Sequence, residues 1–377
     1  RRSSDLHTFL REQAGHLDKY APITPDALRR LSGLAQEALE AGCFGISFGI
    51  RYVPGISMDE MVETARGCRK SGKFIAAHVR DDAAYIFRAV QELIDVGRAL
   101  DLPVQNSHVG SMGGFGQMER LLAMMDAYRA NGMDLSGDCY PYYAFSTRIG
   151  ETTYDDGFLE RYQTDYSVIE VCEGPYKGQR CTEDIFRTLR REAPRTITVC
   201  HVMKPEDVDM ALLHPNIMLA SDGLMDNGQG HPRAAGAFPR FVRNYVGSGR
   251  LSLDEAVYKM TAMPAAKLGL SHKGNLRSGA DADVVVLPEL FATGFTLDPA
   301  PVAEAPGGEV VTALRRWAAQ YGKAVAGSVA VAEGGRFFNR MYFVTPDGGC
   351  ARYDKRHLFA PGGEARNYTP GSDRVVV

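Results

Sequence analysis

Three histidines and two aspartates each close, or directly follow, a short apolar run. They are His78 in KFIAAHVRD, His108 in PVQNSHVG, Asp138 in MDLSGDCYPY, His201 in TITVCHV and Asp222 in NIMLASDG. The steps from His78 to His108 and from His108 to Asp138 are both 30 residues, about the length of one strand-plus-helix unit. Neutral imidazoles bind zinc, and a catalytic zinc keeps one position open for water. The metal lowers that water's pKa towards neutrality, and a nearby carboxylate can take the proton and pass it on. His78 and His108 suit the ligand role, with Asp222 as the base. Each histidine could instead cap its strand by bonding to backbone, and His201 stays open between the two readings. A second set lies further on. Glu289 follows the apolar run VVVLP, a setting where a carboxylate is seldom left unpaired. Lys355 stands beside Asp354, Arg356 and His357, where a solvated charged turn is the plain alternative.

Such side chains meet only if their strands share a sheet and present the same end. From Gly42 to Gly223 six apolar runs, beginning with GCFGISFGI, alternate with helical stretches such as AAYIFRAVQELIDVGRAL. Parallel strands need long crossovers, so the alternation predicts an α/β fold with a covered parallel sheet. Six units suggest most of a (β/α)8 barrel, whose strand ends converge on one mouth; an open α/β sheet gives a similar pattern. GQGHPRAAGAFPRFVRNYV then reads as loop and helix, and LSLDEAVYKMTAMPAAKLGL as a helix capped by Ser252. The rhythm changes beyond Asp281. TALRRWAAQYGKAVAGSVAV reads as helix then strand, and GRFFNRMYFVTPDGGCARYDKRHLF as two antiparallel strands turning at PDGG.

The bulk composition narrows the class. With 45% hydrophobic and 24% charged residues, 377 residues suffice for one large or two ordinary globular domains. A net charge of −3 argues against a general nucleic-acid binder. No apolar run approaches the roughly 18 residues a membrane span needs. Seven scattered cysteines without a CxxC pair suit reduced thiols in a cytoplasm. The chain opens on RRSSDLHTFL without Met and closes on SDRVVV, which looks like a strand cut short. Both ends read as truncated.

The motifs AAHVRDD, PVQNSHVG, DCYPYYAFST, ASDGL, HPR and GNLRSGADADVVV resemble the N-acyl-D-amino-acid deacylases (D-aminoacylases) of the amidohydrolase superfamily. The likeness covers about residues 5–286. It implies zinc ligands at His78 and His108, a catalytic acid/base at Asp222, and a grip on the substrate carboxylate from Tyr140 and Arg233. Two departures stand out. That family often has Lys two positions after the second histidine, where this chain has Gly110. It also takes metal ligands from an earlier His-x-His strand and a following Cys or acidic residue, and no His-x-His occurs here. The metal cage is therefore expected to be incomplete, since three protein ligands are the usual minimum.

The stretches VVLPELFATGF, GSVAVAEGGRFFNRMYFVTPDG, YDKRHLF and GGEARNYTPGSDR resemble the nitrilase-type carbon-nitrogen hydrolases, nearest the ω-amidase-like branch, over about residues 281–377. The likeness implies a general base at Glu289, an oxyanion-stabilising ammonium at Lys355 and a positioning glutamate at Glu364, with no cofactor. Its cysteine nucleophile follows a strand beyond this sequence, and Cys350 reads as structural. ADVVVLP satisfies both families, so it marks the seam.

The resulting expectation is an incomplete (β/α)8 metallo-dependent hydrolase barrel over 1–280 and a partial α-β-β-α nitrilase-like sandwich over 281–377. The expected function is hydrolysis of non-peptide C–N bonds in linear amides. Zinc-dependent deacylation of N-acyl-D-amino acids would belong to the first segment. The partner is a small-molecule amide, with neither nucleic acid nor membrane, and an oligomer contact through the second segment. The alternative is a catalytically inactive fusion that at most binds small carboxylates or a weak metal.

Overall fold

The computed structural model describes residues 5–223, 225–226, 229–275 and 277–375. They fall into two compact units, Arg1–Asn275 and Leu276–Val377.

The first unit is built on five parallel strands: β1 (Gly45–Gly49), β2 (Phe74–His78), β3 (Val104–Asn106), β4 (Leu135–Cys139) and, much later in the chain, β8 (Ile217–Leu219). They lie in the order β1-β2-β3-β4-β8. Among the described residues, β1 pairs only with β2 and β8 only with β4, so the sheet is open. Helices Met58–Ser71, Ile86–Leu100 and Met118–Ala130 are crossovers between successive strands. Their starts and stops follow local chemistry. Ser57 accepts the Glu60 N–H at the start of the first, and Gly72, at φ +64°, ends it in the left-handed conformation that glycine adopts without strain.

One expected strand sits elsewhere. TITVC forms β7 (Ile197–Cys200), but it is the centre of an antiparallel sheet with β5 (Phe145–Arg148) and β6 (Ile169–Val171). All four β7 residues are buried. An unbroken apolar run signals a strand buried on both faces, and nothing in it distinguishes parallel from antiparallel neighbours. Five of the six runs therefore share the parallel sheet. A short antiparallel pair, β9 (Met225–Asp226) and β10 (Gln229–Gly230), follows β8. The single helix expected after Ser252 is two, Leu253–Met260 and Ala262–Lys267, and the Ser252–Glu255 capping box opens the first. Pro264 stands at the third position of the second helix; a proline ring clashes with the carbonyl four residues back, which favours a break there.

The second unit is a mixed sheet, ordered β11 (Val284–Val286), β12 (Ala324–Glu333), β13 (Arg336–Val344) and β14 (Cys350–Asp354). The seam strand β11 runs parallel to β12, with Val284 opposite Ala324. ADVVV thus serves the second unit's sheet. β12 and β13 turn through Gly334 and Gly335, both at positive φ, as the tight two-residue hairpin turn requires. Helix Glu309–Tyr321 covers one face through Val311, Leu314 and Ala318. Leu290 and Tyr368 pack against Ala330 on their own small cluster. Cys350 is exposed and opens β14 opposite Val344. The described part of the terminal SDRVVV is not a strand, and Val376 and Val377 lie outside the described residues. No helix among the described residues is long and apolar enough to cross a membrane.

Candidate functional site

Four adjacent parallel strands set the first group. His78 is the last residue of β2, His108 lies two residues past β3, Asp138 is within β4 and Asp222 lies three past β8. Register places Gly49 opposite His78, Ala77 opposite Asn106 and Asn106 opposite Gly137, so these ends are level. A cavity of about 550 Å3 opens there, lined by His78, His108, Asp222, Arg233, His231 and Tyr52, among others. The imidazoles of His78 and His108 meet edge to face, with centroids 4.5 Å apart. Burial first, and then His108 and the Arg51 and Arg233 cations, hold the His78 pKa well below the usual histidine value. His78 is therefore a neutral imidazole at physiological pH, the form that donates a lone pair.

Asp138 faces inward differently. Its Oδ1 accepts the His108 backbone N–H at 2.9 Å, and its Oδ2 accepts from Gln105 Nε2 at 2.8 Å. Both oxygens are spent on shaping the β3 turn. Asp222 has φ +44°, which an aspartate tolerates better than most residues. At the next position, a Cβ on Gly223 would come within 2.6 Å of Ala234 Cα, so glycine lets the turn close on the Arg233 helix. That closure brings Arg233 Nη2 to 3.0 Å from Asp222 Oδ2. Arg233 is buried, and its guanidinium carbon lies 4.6 Å from the centre of the Tyr140 ring, itself buried. Arg233 Nη2 also donates to Ser146 O at 3.3 Å, while Nε and Nη1 have no hydrogen-bond partner among the described residues. His231, which sequence reasoning left without a role, accepts the Arg233 backbone N–H at Nδ1. Burial, then the Arg233 charge, lowers its pKa to about 4.

His201 is not brought into this group. It follows β7 in the antiparallel sheet, half exposed, with Nε2 3.0 Å from Glu170. Gly110 faces away as well, since a Cβ there would meet Cys139 Sγ at 2.6 Å. A lysine at that position would enter this packing before reaching the cavity. Among the described residues no group of three or more His, Cys, Asp or Glu side chains could hold a metal ion. His78 and His108 offer two nitrogen ligands, fewer than the three or four of usual zinc sites.

The second unit joins Glu289, Lys355 and Glu364. Lys355 Nζ donates to Glu289 Oε1 at 2.7 Å and to Glu364 Oε2 at 2.8 Å. Asn339, which the sequence reading passed over, donates from Nδ2 to Glu289 Oε1 at 2.6 Å and Glu364 Oε1 at 3.0 Å. The Phe359 N–H adds a bond to Glu364 Oε2 at 2.6 Å. Burial would raise the Glu364 pKa, but Lys355, the Phe359 N–H and Asn339 outweigh it and hold the carboxyl below its usual value. The signal for Asn339 was a polar residue inside the aromatic run RFFNRMYF, because buried polar groups are normally paired. Asn339→Leu is expected to destabilise the second unit by about 1–3 kcal/mol, the cost of leaving the buried Glu364 Oε1 without its donor. Urea unfolding followed at the single tryptophan, Trp317, packed against this sheet, checks it; an unchanged midpoint would show that the Asn339 bonds to Glu289 and Glu364 do not hold the unit together.

Comparison with known proteins gives two matches on different parts of the chain. The carbon-nitrogen hydrolase family matches residues 258–377. The D-aminoacylase of Alcaligenes xylosoxydans xylosoxydans is 33% identical over 313 residues, covering 77% of this chain and 60% of that protein. Omega-amidase YafV of Yersinia enterocolitica is 40% identical over 126 residues, 32% of this chain and 49% of the relative. Among solved structures, a D-aminoacylase superposes with a TM-score of 0.66 at 30% identity, over 74% of this chain and 59% of the other. An N-acyl-D-glutamate deacylase from Bordetella bronchiseptica, complexed with zinc and a phosphonate inhibitor, gives 0.65 at 30% identity, over 74% and 60%. The chain spans about 60% of the length of the D-aminoacylase it matches. It joins a segment similar to D-aminoacylases to a segment that matches the carbon-nitrogen hydrolase family.

Proposed function

We propose that the first segment hydrolyses the amide of N-acyl-D-amino acids. The observation that carries this reading is the Arg233–Asp222 pair on the cavity that His78 and His108 share. Two buried N–H groups of Arg233, Nε and Nη1, stand without partners among the described residues, and a guanidinium matches a carboxylate's geometry. Either would take one oxygen of the substrate's carboxylate. Asp222 would accept a proton from the attacking water and return it to the departing amine nitrogen. His78 and His108 would hold zinc, which when bound supplies an acidified water and polarises the acyl carbonyl. The remaining zinc ligands are not supplied by the described residues, so the expected affinity is low.

The test measures zinc content and deacylation of N-acetyl-D-amino acids together. Uptake near one equivalent with turnover of the D and not the L series supports the reading. No metal and no turnover would favour the second reading, an inactive fusion that binds small carboxylates through Arg233. Arg233→Lys separates binding from chemistry. KM is expected to rise roughly ten- to a hundredfold, from about 1.5–3 kcal/mol for hydrogen bonds to a charged group. A KM that does not move would take the substrate carboxylate away from Arg233.

For the second segment we propose an amidase-type proton relay, with Glu289 as base, Lys355 facing the developing oxyanion and Glu364 fixing both. The support is the shared hydrogen-bond network of these three side chains. The thiol such chemistry needs is not assigned to any cysteine of this chain.

A further inference from the structure

His108 is held in an unusual way. Its backbone is in the left-handed region at φ +37°, uncommon for a residue other than glycine. Asp138 anchors its N–H at 2.9 Å. Ser111, three residues on in the helix Val109–Gly113, anchors the rest. Ser111 Oγ lies 2.9 Å from the His108 carbonyl oxygen and 3.0 Å from the His108 ring nitrogen Nδ1. Both residues are buried, so bulk water does not replace these contacts.

The hydrogen count decides what the two contacts are. A serine hydroxyl has one proton and two lone pairs. A carbonyl oxygen only accepts, so the contact at 2.9 Å takes the hydroxyl proton. Nδ1 then faces an oxygen lone pair, and its contact at 3.0 Å is a hydrogen bond only when Nδ1 carries the hydrogen. With the other tautomer, either two lone pairs meet at Nδ1, or the hydroxyl proton turns away from the His108 carbonyl, which keeps the Ser111 backbone N–H, and two oxygens face each other at 2.9 Å with no hydrogen between them. A buried polar mismatch of that kind costs on the order of the whole hydrogen bond.

We propose that Ser111 fixes His108 as the Nδ1–H tautomer, making Ser111 a positioning residue that presents the Nε2 lone pair to the cavity shared with His78 and Asp222. Its value for metal binding rests on the deacylase reading; the tautomer does not. Nothing in the spacing of the sequence assigns Ser111 such a part. Metal-binding histidines commonly need their other nitrogen held by an acceptor, and loss of that partner weakens metal affinity roughly 10- to 100-fold.

The test is long-range proton–nitrogen NMR of the chain labelled at histidine nitrogens, without metal and at neutral pH, with the His108 signals assigned by their loss in His108→Gln. A protonated and an unprotonated ring nitrogen resonate far apart. Wild type is expected to show a protonated Nδ1 and a bare Nε2. Ser111→Ala should give a mixed or reversed pattern, and Ser111→Thr, which keeps the hydroxyl, should restore the original. A protonated Nε2 in wild type overturns the proposal, as does an unchanged pattern in a folded Ser111→Ala. If that variant does not fold, the wild-type spectrum alone still decides. Zinc titration of the same samples is read separately. A Ser111→Ala loss of roughly 10- to 100-fold in affinity would join the tautomer to metal binding. Failure of every form to take zinc would sink the deacylase reading while leaving the tautomer standing.

Discussion

Asp222→Asn is expected to lower kcat for an N-acetyl-D-amino acid by about 10²- to 10⁴-fold, the usual contribution of a positioned general acid/base. Asparagine keeps the shape of the side chain and can still accept from Arg233, but it cannot take a proton at neutral pH. The accompanying change in KM is the informative part. In the resting site the Asp222 carboxylate occupies the guanidinium at 3.0 Å, where it competes with a substrate carboxylate. Removing its charge frees Arg233, so KM should hold or fall while kcat collapses. Arg233→Lys should do the reverse, with KM taking most of the loss. An interaction made only in the transition state and one made equally in both states are separated by this crossing. Steady-state kinetics of the two variants, with circular dichroism to show that each is folded, make the measurement. A kcat for Asp222→Asn within threefold of wild type would remove it from the chemistry.

The sequence made the strand-end groups legible and the groups that orient them almost invisible. His78, His108 and Asp222 stand where apolar runs stop, and polar residues at the same end of parallel strands have one place to go. Glu289 and Lys355 were visible for a related reason, as charges beside apolar or strand-like runs, although β11 itself is exposed. TITVC misled because burial on both faces looks the same in either kind of sheet. Ser111 and Asn339 were missed on different grounds. Their parts depend on which atoms face one another at about 3 Å, and no periodicity encodes that. Asp138 shares the strand-end spacing, and both its oxygens are engaged in holding the His108 turn. The seam was undecidable from ADVVV because three valines suit either fold. Pairing of Val284 with Ala324 needs a strand some forty residues later, which local reading does not reach.

The second large effect is expected in the other unit. Lys355→Met should destabilise it by about 3 kcal/mol, the lower end of the range for breaking a buried ion pair. Glu364 has no exposed side-chain surface, while Lys355 is 26% exposed and Glu289 45%. The dominant cost is therefore a buried Glu364 carboxylate without its cation, moderated because Asn339 and the Phe359 N–H still donate to it. At a urea dependence of about 1–3 kcal/mol per M, the Trp317 midpoint should fall by roughly 1–3 M. Adding Glu364→Gln should recover part of that loss, because the stranded charge is gone; in a double-mutant cycle the two changes must not add. The pH dependence follows from the same atoms. Glu364 is held below its ordinary 4.5, so its stabilising contribution is complete above that value and is lost as pH falls through the depressed pKa. Burial would lower the Lys355 pKa, but its bonds to Glu289 and Glu364 raise it above the ordinary 10.5. That contribution is complete below 10.5 and is lost as pH rises through the raised value. The wild-type second unit should thus show a stability plateau with an acid limb and an alkaline limb. Lys355→Met should lose the alkaline limb assigned to Lys355. If additive losses and an unaltered alkaline limb were found, Lys355 and Glu364 would be neighbours without being coupled, and the shared relay would have no physical basis.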